Sequence, residues 1–303
     1  MSSLVNRTTI DKNHEMHSQP ATRKLPPWFR IRLTANERLT NVRRLIRDNN
    51  LHTVCRSAAC PNQTECWSAG TATFLILGDI CTRGCRFCGV PKGTPAGLDR
   101  EEPGRVADAV SALDLGYAVI TSVTRDDLPD GGAAIFAETI RAIRMRNPRC
   151  RVEVLIPDFS GSPESLRTVL DAMPDVLNHN LETVPSLYSR VRPQADYKRS
   201  LELLKRAYEH GAVTKTGLML GLGESIDAVK SVMRDIRRAG CSILTLGQYL
   251  RPGRTHLPVE KYYHPDEFDA LRQEARSLGF RHVAAGPLVR SSYHAEKYGA
   301  GDQ

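Results

Sequence analysis

No stretch of this chain approaches the ~18 consecutive apolar residues that a bilayer-spanning helix needs, so a helical membrane protein is not expected. Aromatic residues are scarce, at 6% of 303 positions. No lysine- and arginine-rich run is interleaved with them, which argues against a nucleic-acid platform. The nine histidines form no HExxH or other paired spacing, so that zinc-hydrolase motif is missing. Met1 to Pro27 carries scattered Arg, Lys and His, interrupted by Asp11 and Glu15, and lacks the apolar core of a secretory signal. Residues 1–30 read as a disordered arm. Low-complexity tracts are absent.

What is present suits a globular protein with a sizeable core: 41% of residues are hydrophobic and 25% charged. The formal charge of +8 steers acidic partners by its long-range field without naming them. Eight cysteines without a secretory signal argue against a disulfide framework. They point to metal binding or catalysis in a reducing compartment, read here as cytoplasmic. Six of the eight fall between Cys55 and Cys88.

Helix- and strand-like patterns alternate along most of the chain. Thr34-Ala35-Asn36-Glu37 reads as a capping box opening a helix with Leu39, Val42, Leu45 and Ile46 on one face. Cys55, Cys60 and Cys66 follow in a segment where Pro61 and Asn62 disfavour a helix. The predicted strands are 73–77, 117–123, 152–156, 176–181, 213–220 and 243–249. The helices between and after them are about 103–115, 133–146, 163–172, 200–210, 226–239 and 265–278. Six such βα units imply an α/β fold with a parallel sheet and right-handed crossovers, an open (βα)₆ relative of the TIM barrel. The reading divides the chain into an N-terminal extension over 31–72, a partial barrel over 73–280 and a C-terminal extension over 281–303. In that tail Gly286-Pro287 introduces Leu288 to Tyr293 and no further βα unit is read. Sites in such sheets lie at the carboxyl ends of the strands.

Directly after the first strand stands Cys81-Thr82-Arg83-Gly84-Cys85-Arg86-Phe87-Cys88. Three thiols spaced C-x₃-C-x₂-C can hold three corners of a cubane iron–sulfur cluster, which would leave the fourth iron open for a small molecule. A zinc knuckle is the alternative, although zinc sites close at four ligands. With Phe87 as its aromatic position, this segment resembles the signature of radical S-adenosylmethionine (SAM) enzymes. The resemblance implies that the open iron binds the amino and carboxylate groups of SAM. It also implies that an electron from the cluster yields a 5′-deoxyadenosyl radical.

Cys55, Cys60 and Cys66, spaced C-x₄-C-x₅-C, admit zinc with His52 as a fourth ligand, or a second cubane. Placed about fifteen residues before the first motif, they make the chain resemble the lipoyl synthase family. That resemblance covers nearly everything beyond residue 30 and extends to Arg290-Ser291-Ser292-Tyr293. It implies a sulfurtransferase that inserts two sulfur atoms at C6 and C8 of an octanoyl group bound to lysine, using SAM and two [4Fe-4S] clusters. Cys55, Cys60, Cys66 and Ser292 would hold the auxiliary cluster that is consumed, with Ser291 as the alternative ligand. A serine oxygen is a harder ligand than thiolate and leaves iron more readily. Expected partners are an octanoylated carrier domain, a low-potential donor of flavodoxin or ferredoxin type and an iron–sulfur assembly protein, with no nucleic acid and no membrane. Rival readings are a tRNA methylthiotransferase, a biotin-synthase-like enzyme and a non-catalytic iron–sulfur electron carrier.

Further segments suit a SAM pocket. Asp130-Gly131-Gly132 is either a glycine-rich turn that meets the methionine amino group or a plain tight turn. Glu182 either accepts from the ribose hydroxyls or is a solvated strand-end carboxylate. Gly221-Leu222-Gly223-Glu224 lies on the adenine side or simply enters a helix. Cys150 and Cys241 read as small buried residues; His179 reads as structural, and His294 has no assigned role. The two-cluster reading predicts about eight irons per chain in anoxically purified protein, and about four if only one cluster forms. Mössbauer quantitation distinguishes the two.

Overall fold

The computed structural model describes residues 25–30, 36–58, 60–68 and 72–295. The predicted arm therefore lies outside the described residues up to position 24, as do Thr34 and Ala35 of the capping box. Within the described part, Pro27–Phe29 forms a short 3-10 turn. Phe29 is buried against Tyr262 and Trp28 lies against His264, so this end of the arm is packed.

Helix α1 (Glu37–Asp48) is capped by the Asn36 side chain, which accepts from Leu39 N, and buries Leu39, Val42 and Ile46. Strand β1 (His52–Thr53) leads into α2 (Val54–Ser57) and, past Pro61, α3 (Gln63–Ser68). The expectation of no helix here is thus corrected: Pro61 and Asn62 separate two short helices instead of abolishing both. Asn62 is buried and donates to Leu288 O at 2.7 Å, tying this region to the C-terminal segment.

Then come β2 (Thr73–Ile76), α4 (Glu102–Ala112), β3 (Tyr117–Ser122), α5 (Ala133–Arg146), β4 (Arg151–Leu155) and α6 (Pro163–Leu170). They are followed by β5 (Val176–Asn178), α7 (Tyr188–Val191), α8 (Tyr197–Glu209), β6 (Thr214–Leu220), α9 (Ile226–Arg238), β7 (Ile243–Gln248), α10 (Pro265–Ser277) and β8 (His282–Gly286). The central strands are buried along nearly their whole length, as expected for a parallel sheet covered on both faces. Strand order is sequential, β1 to β8; β1 is antiparallel to β2 and every later pair is parallel. The alternating pattern is therefore confirmed, with one correction. The segment read as a tail begins with a seventh parallel strand, β8, whose His282 to Gly286 pair with Ile243 to Gly247. Two small alanines and a glycine make it look like a connector in sequence.

Within the sheet lies a fully buried ion pair, Lys215 Nζ to both Glu153 oxygens at 2.9 Å. Tyr117 OH and Asn178 Nδ2 also donate to that carboxylate, at 2.8 and 2.9 Å. Breaking a buried pair by removing one partner costs about 3–5 kcal/mol. Lys215→Met should therefore lower the thermal unfolding midpoint sharply, and Lys215→Met/Glu153→Leu should recover most of the loss in the same measurement.

Candidate functional site

A cavity of about 420 Å³ opens at the carboxyl ends of the parallel strands. Its wall takes Cys81, Cys85 and Cys88 from the loop after β2, Thr124 after β3, Asp158 after β4 and Glu182 after β5. Tyr249 to Pro252 after β7 and Val289 to Ser292 after β8 complete the ring, and Cys55 and Cys60 enter from the N-terminal side. Five of the six clustered cysteines thus face one space. Cys66, on α3, does not line it and packs against the core behind.

Main-chain and ionic contacts hold the cysteine loop. Arg83 pairs with Asp126 at 2.6 Å and with fully buried Asp158 at 2.7 Å, and Asp158 also pairs with Arg199 at 2.8 Å. Burial by itself would raise Asp158, but the guanidinium of Arg83 beside it outweighs that, and its carboxyl sits at about 2. The loop therefore spans to the ends of β3 and β4 through a charged bridge. Gly84 N donates to Gln194 Oε1 at 2.7 Å, and Arg86 N to Val191 O at 2.9 Å. Gly89 has a steric role: a Cβ there would lie 2.9 Å from Ser57 O and 3.3 Å from Pro252 Cβ. Cluster loop, α2 and the loop after β7 are in contact at that residue.

Burial raises the thiols of Cys55 and Cys85, and that of Cys60, where the Cys55 charge adds to it. Cys88 is pushed up to about 12 by burial. Thiolates at such positions require nearby positive charge. Arg192 pulls Cys85 the other way and Arg290 pulls Cys60 the other way. Cys81 Sγ accepts from Arg83 N at 3.4 Å and from Thr124 N at 3.3 Å. Among the described residues, no three His, Cys, Asp or Glu side chains are grouped for a single metal ion. The thiols line a shared space instead of converging on one point.

Ser291 Oγ accepts from Asn180 Nδ2 at 2.7 Å, and the same amide donates to Glu182 at 3.0 Å. Ser292 also faces the cavity, and among the described residues its hydroxyl has no hydrogen bond. The Arg192 guanidinium is buried against the cavity wall, donating through Nη1 to Asn180 O and Leu181 O. Its Nε has no partner among the described residues.

Phe87 and Glu182 line the cavity; Asp130, Gly131, Gly132, Gly221 and Glu224 do not. Asp130 accepts from Gly132 N and Ala134 N and so starts α5. Gly132, at φ +89°, leaves no room for a Cβ, which would meet Leu77 at 2.3 Å. The Glu224 carboxylate accepts from Gly221 N and Leu222 N, folding the turn after β6 on itself. For both segments the structure supports the turn and helix-entry readings. His179 is buried, bonded to Ile156 O and Ser200 Oγ; Cys150 and Cys241 are buried. His294 pairs with Glu65 at 3.6 Å. Sequence reasoning missed Arg83, Asn180 and Arg192. Arg83 is inside the cysteine motif, whereas Asn180 and Arg192 belong to no pattern and are brought in by the loops after β5.

A seven-strand parallel half-barrel with this loop after its first parallel strand is the architecture of the radical SAM superfamily, whose model matches residues 75–236. The fold is similar to that of methylornithine synthase PylB (TM-score 0.51, 13% identity, covering 84% of this chain and 82% of that one). It is also similar to that of Streptococcus suis SuiB bound to its precursor peptide SuiA (TM-score 0.55, 12% identity, covering 70% and 48%). The sequence comparison goes further. The chain is 56% identical over 275 residues to lipoyl synthase of Oleidesulfovibrio alaskensis, covering 91% of this chain and 94% of that one. It is 57% identical over 277 residues to that of Symbiobacterium thermophilum, covering 91% and 87%. The chain belongs to the lipoyl synthase family.

Overpacking of a main-chain contact costs roughly 1–3 kcal/mol. Gly89→Ala should lower the thermal midpoint accordingly, whereas Gly97→Ala, with nothing within 4 Å of the added atom, should leave it unchanged.

Proposed function

We infer that this chain carries out the lipoyl synthase reaction, inserting two sulfur atoms at C6 and C8 of an octanoyl group held on a carrier lysine. The observation that carries this reading is the meeting of Cys55 and Cys60 with Cys81, Cys85 and Cys88 at one strand-end cavity, whose wall also takes Val289 to Ser292, in a member of this family. The residues suit iron–sulfur clusters: buried thiols, cations set against them, and a serine hydroxyl without a partner among the described residues. Cys81, Cys85 and Cys88 would hold the SAM-binding cluster, and Cys55, Cys60, Cys66 and Ser292 the auxiliary one. When bound, the two supply respectively an electron for cleaving SAM and sulfur for the product.

The chain's own groups do the rest. Ser291 is engaged by Asn180, which leaves Ser292 as the hydroxyl available to iron. Arg192, buried beside Cys85 with no carboxylate paired to it among the described residues, is a donor for the SAM carboxylate. Glu182, partly exposed in the wall and oriented by Asn180, is an acceptor for the ribose hydroxyls. Apolar wall residues such as Leu155, Leu218 and Met219 exclude water from the alkyl chain and hold it between the two cysteine sets. Asp130, Gly131, Gly132, Gly221 and Glu224 act at one remove, by shaping loops.

All eight cysteines are thiols, and among the described residues no helix is long and apolar enough to cross a membrane. Both suit a cytoplasmic enzyme that draws on a low-potential flavodoxin- or ferredoxin-type donor and an iron–sulfur supplier. The residues 31–72 and 281–303 would then be the extensions that carry the auxiliary cluster.

Anoxic reconstitution with SAM, dithionite and an octanoyl-lysine peptide should give 5′-deoxyadenosine and dithiolane product by mass spectrometry. Cys81→Ala should abolish both. Cys60→Ala should still cleave SAM without adding sulfur to the peptide, and normal lipoyl product from that variant would refute the division of labour.

A further inference from the structure

Three segments meet around Gly89, and each is free of acidic residues. Residues 51–64, 83–98 and 249–259 contain no Asp or Glu. Each presents exposed cations: Arg56 on α2, Arg86 and Lys92 on the cluster loop, and Arg251 and Arg254 after β7. None of the five makes an ion pair among the described residues. Contacts lock the segments together. Leu257 N donates to Arg86 O at 3.2 Å, and His256 Nε2 to Cys88 O at 3.0 Å. Gly89 sits against Ser57 and Pro252.

Arg56, Arg86 and Arg251 stand on the cavity's rim, and Arg251 Nη2 donates to Arg254 O beside them. Arg56 lies between Cys55 and Ala58, and Arg86 between Cys85 and Phe87; all four neighbours line the cavity, while the two arginines are exposed. Arg251 itself lines the wall. Just inside, the lining turns apolar, with Val54, Phe87, Val90, Leu250 and Pro252. An apolar throat under a cationic rim suits an apolar chain presented by an anionic body.

Resting on the reaction inferred above, we propose that this rim is the docking surface for the acyl-bearing carrier protein, and that it selects a carrier with an acidic face around the modified lysine. The acyl chain enters between α2 and the loop after β7, and the arginines meet carboxylates of the carrier. Such pairs are solvent-exposed, so they act chiefly on encounter rate and are screened by salt.

The test compares two substrates. An octanoylated acidic lipoyl-type carrier domain reads the rim, and an octanoyl-lysine tripeptide reads the chemistry alone. In Arg56→Glu/Arg254→Glu protein, kcat/KM for the carrier domain should fall on the order of 10- to 100-fold relative to the tripeptide. Raising salt should weaken carrier turnover by wild-type protein and have less effect on the variant. The wild-type salt response holds the proposal to account even if the variant loads iron poorly. An equal loss on both substrates, no loss on either, or carrier turnover indifferent to salt in wild-type protein overturns it. So does a loss seen only with an acidic protein reductant and absent with dithionite, which would give the surface to the electron donor. A wild-type protein inactive on the tripeptide would instead count against the reaction itself.

Discussion

The site depends on one main-chain contact. At Gly89 the loop bearing Cys81, Cys85 and Cys88 lies directly on the end of α2, the helix that bears Cys55, with Pro252 closing over both. A side chain at that position would hold the two thiol-bearing segments apart. Radical chemistry at an unactivated carbon tolerates little slack between the group that abstracts hydrogen and the group that supplies the new bond. A glycine with no Cβ allows the two segments to touch.

Around that contact the electrostatics are arranged in layers. Arg83, between two cysteines, is committed to Asp126 and Asp158, so its charge fixes the loop and is already neutralised. Among the described residues Arg192 and Arg290 form no salt bridge, and their charges act on Cys85 and Cys60. The outer arginines face solvent. Three roles for one residue type follow from how deeply each is buried and whether an acid is within reach.

Much of this was legible in the sequence. The βα alternation reads clearly because parallel strands covered on both faces must be continuous apolar runs, and α5 starts and ends where its pattern does. Strand β8 was missed because its Ala284, Ala285 and Gly286 carry no such run; its pairing with β7 supplies what its composition does not. The short helices α2 and α3 were missed because Pro61 was read as excluding a helix throughout its segment, when it only parts two. The cysteines were found by spacing, a one-dimensional signal. Asn180 and Arg192 were not, because they reach the cavity through the irregular chain after β5. Asp130 and Glu224 carry a more ambiguous signal: polar residues beside glycines read equally as ligand contacts or as turns, and here their carboxylates accept from neighbouring amides.

The sequential order of the strands governs how such a molecule comes off the ribosome. Each strand from β2 onward pairs with the one made just before it, so the sheet grows by addition at a single edge and its contacts are local in the chain. Both cysteine sets emerge early, whereas Ser291 and Ser292 are synthesised after β8. A nascent chain therefore presents its thiols long before the Val289 to Ser292 part of the cavity wall exists. Metal loading during translation would meet a wall still incomplete, and loading afterwards a finished one.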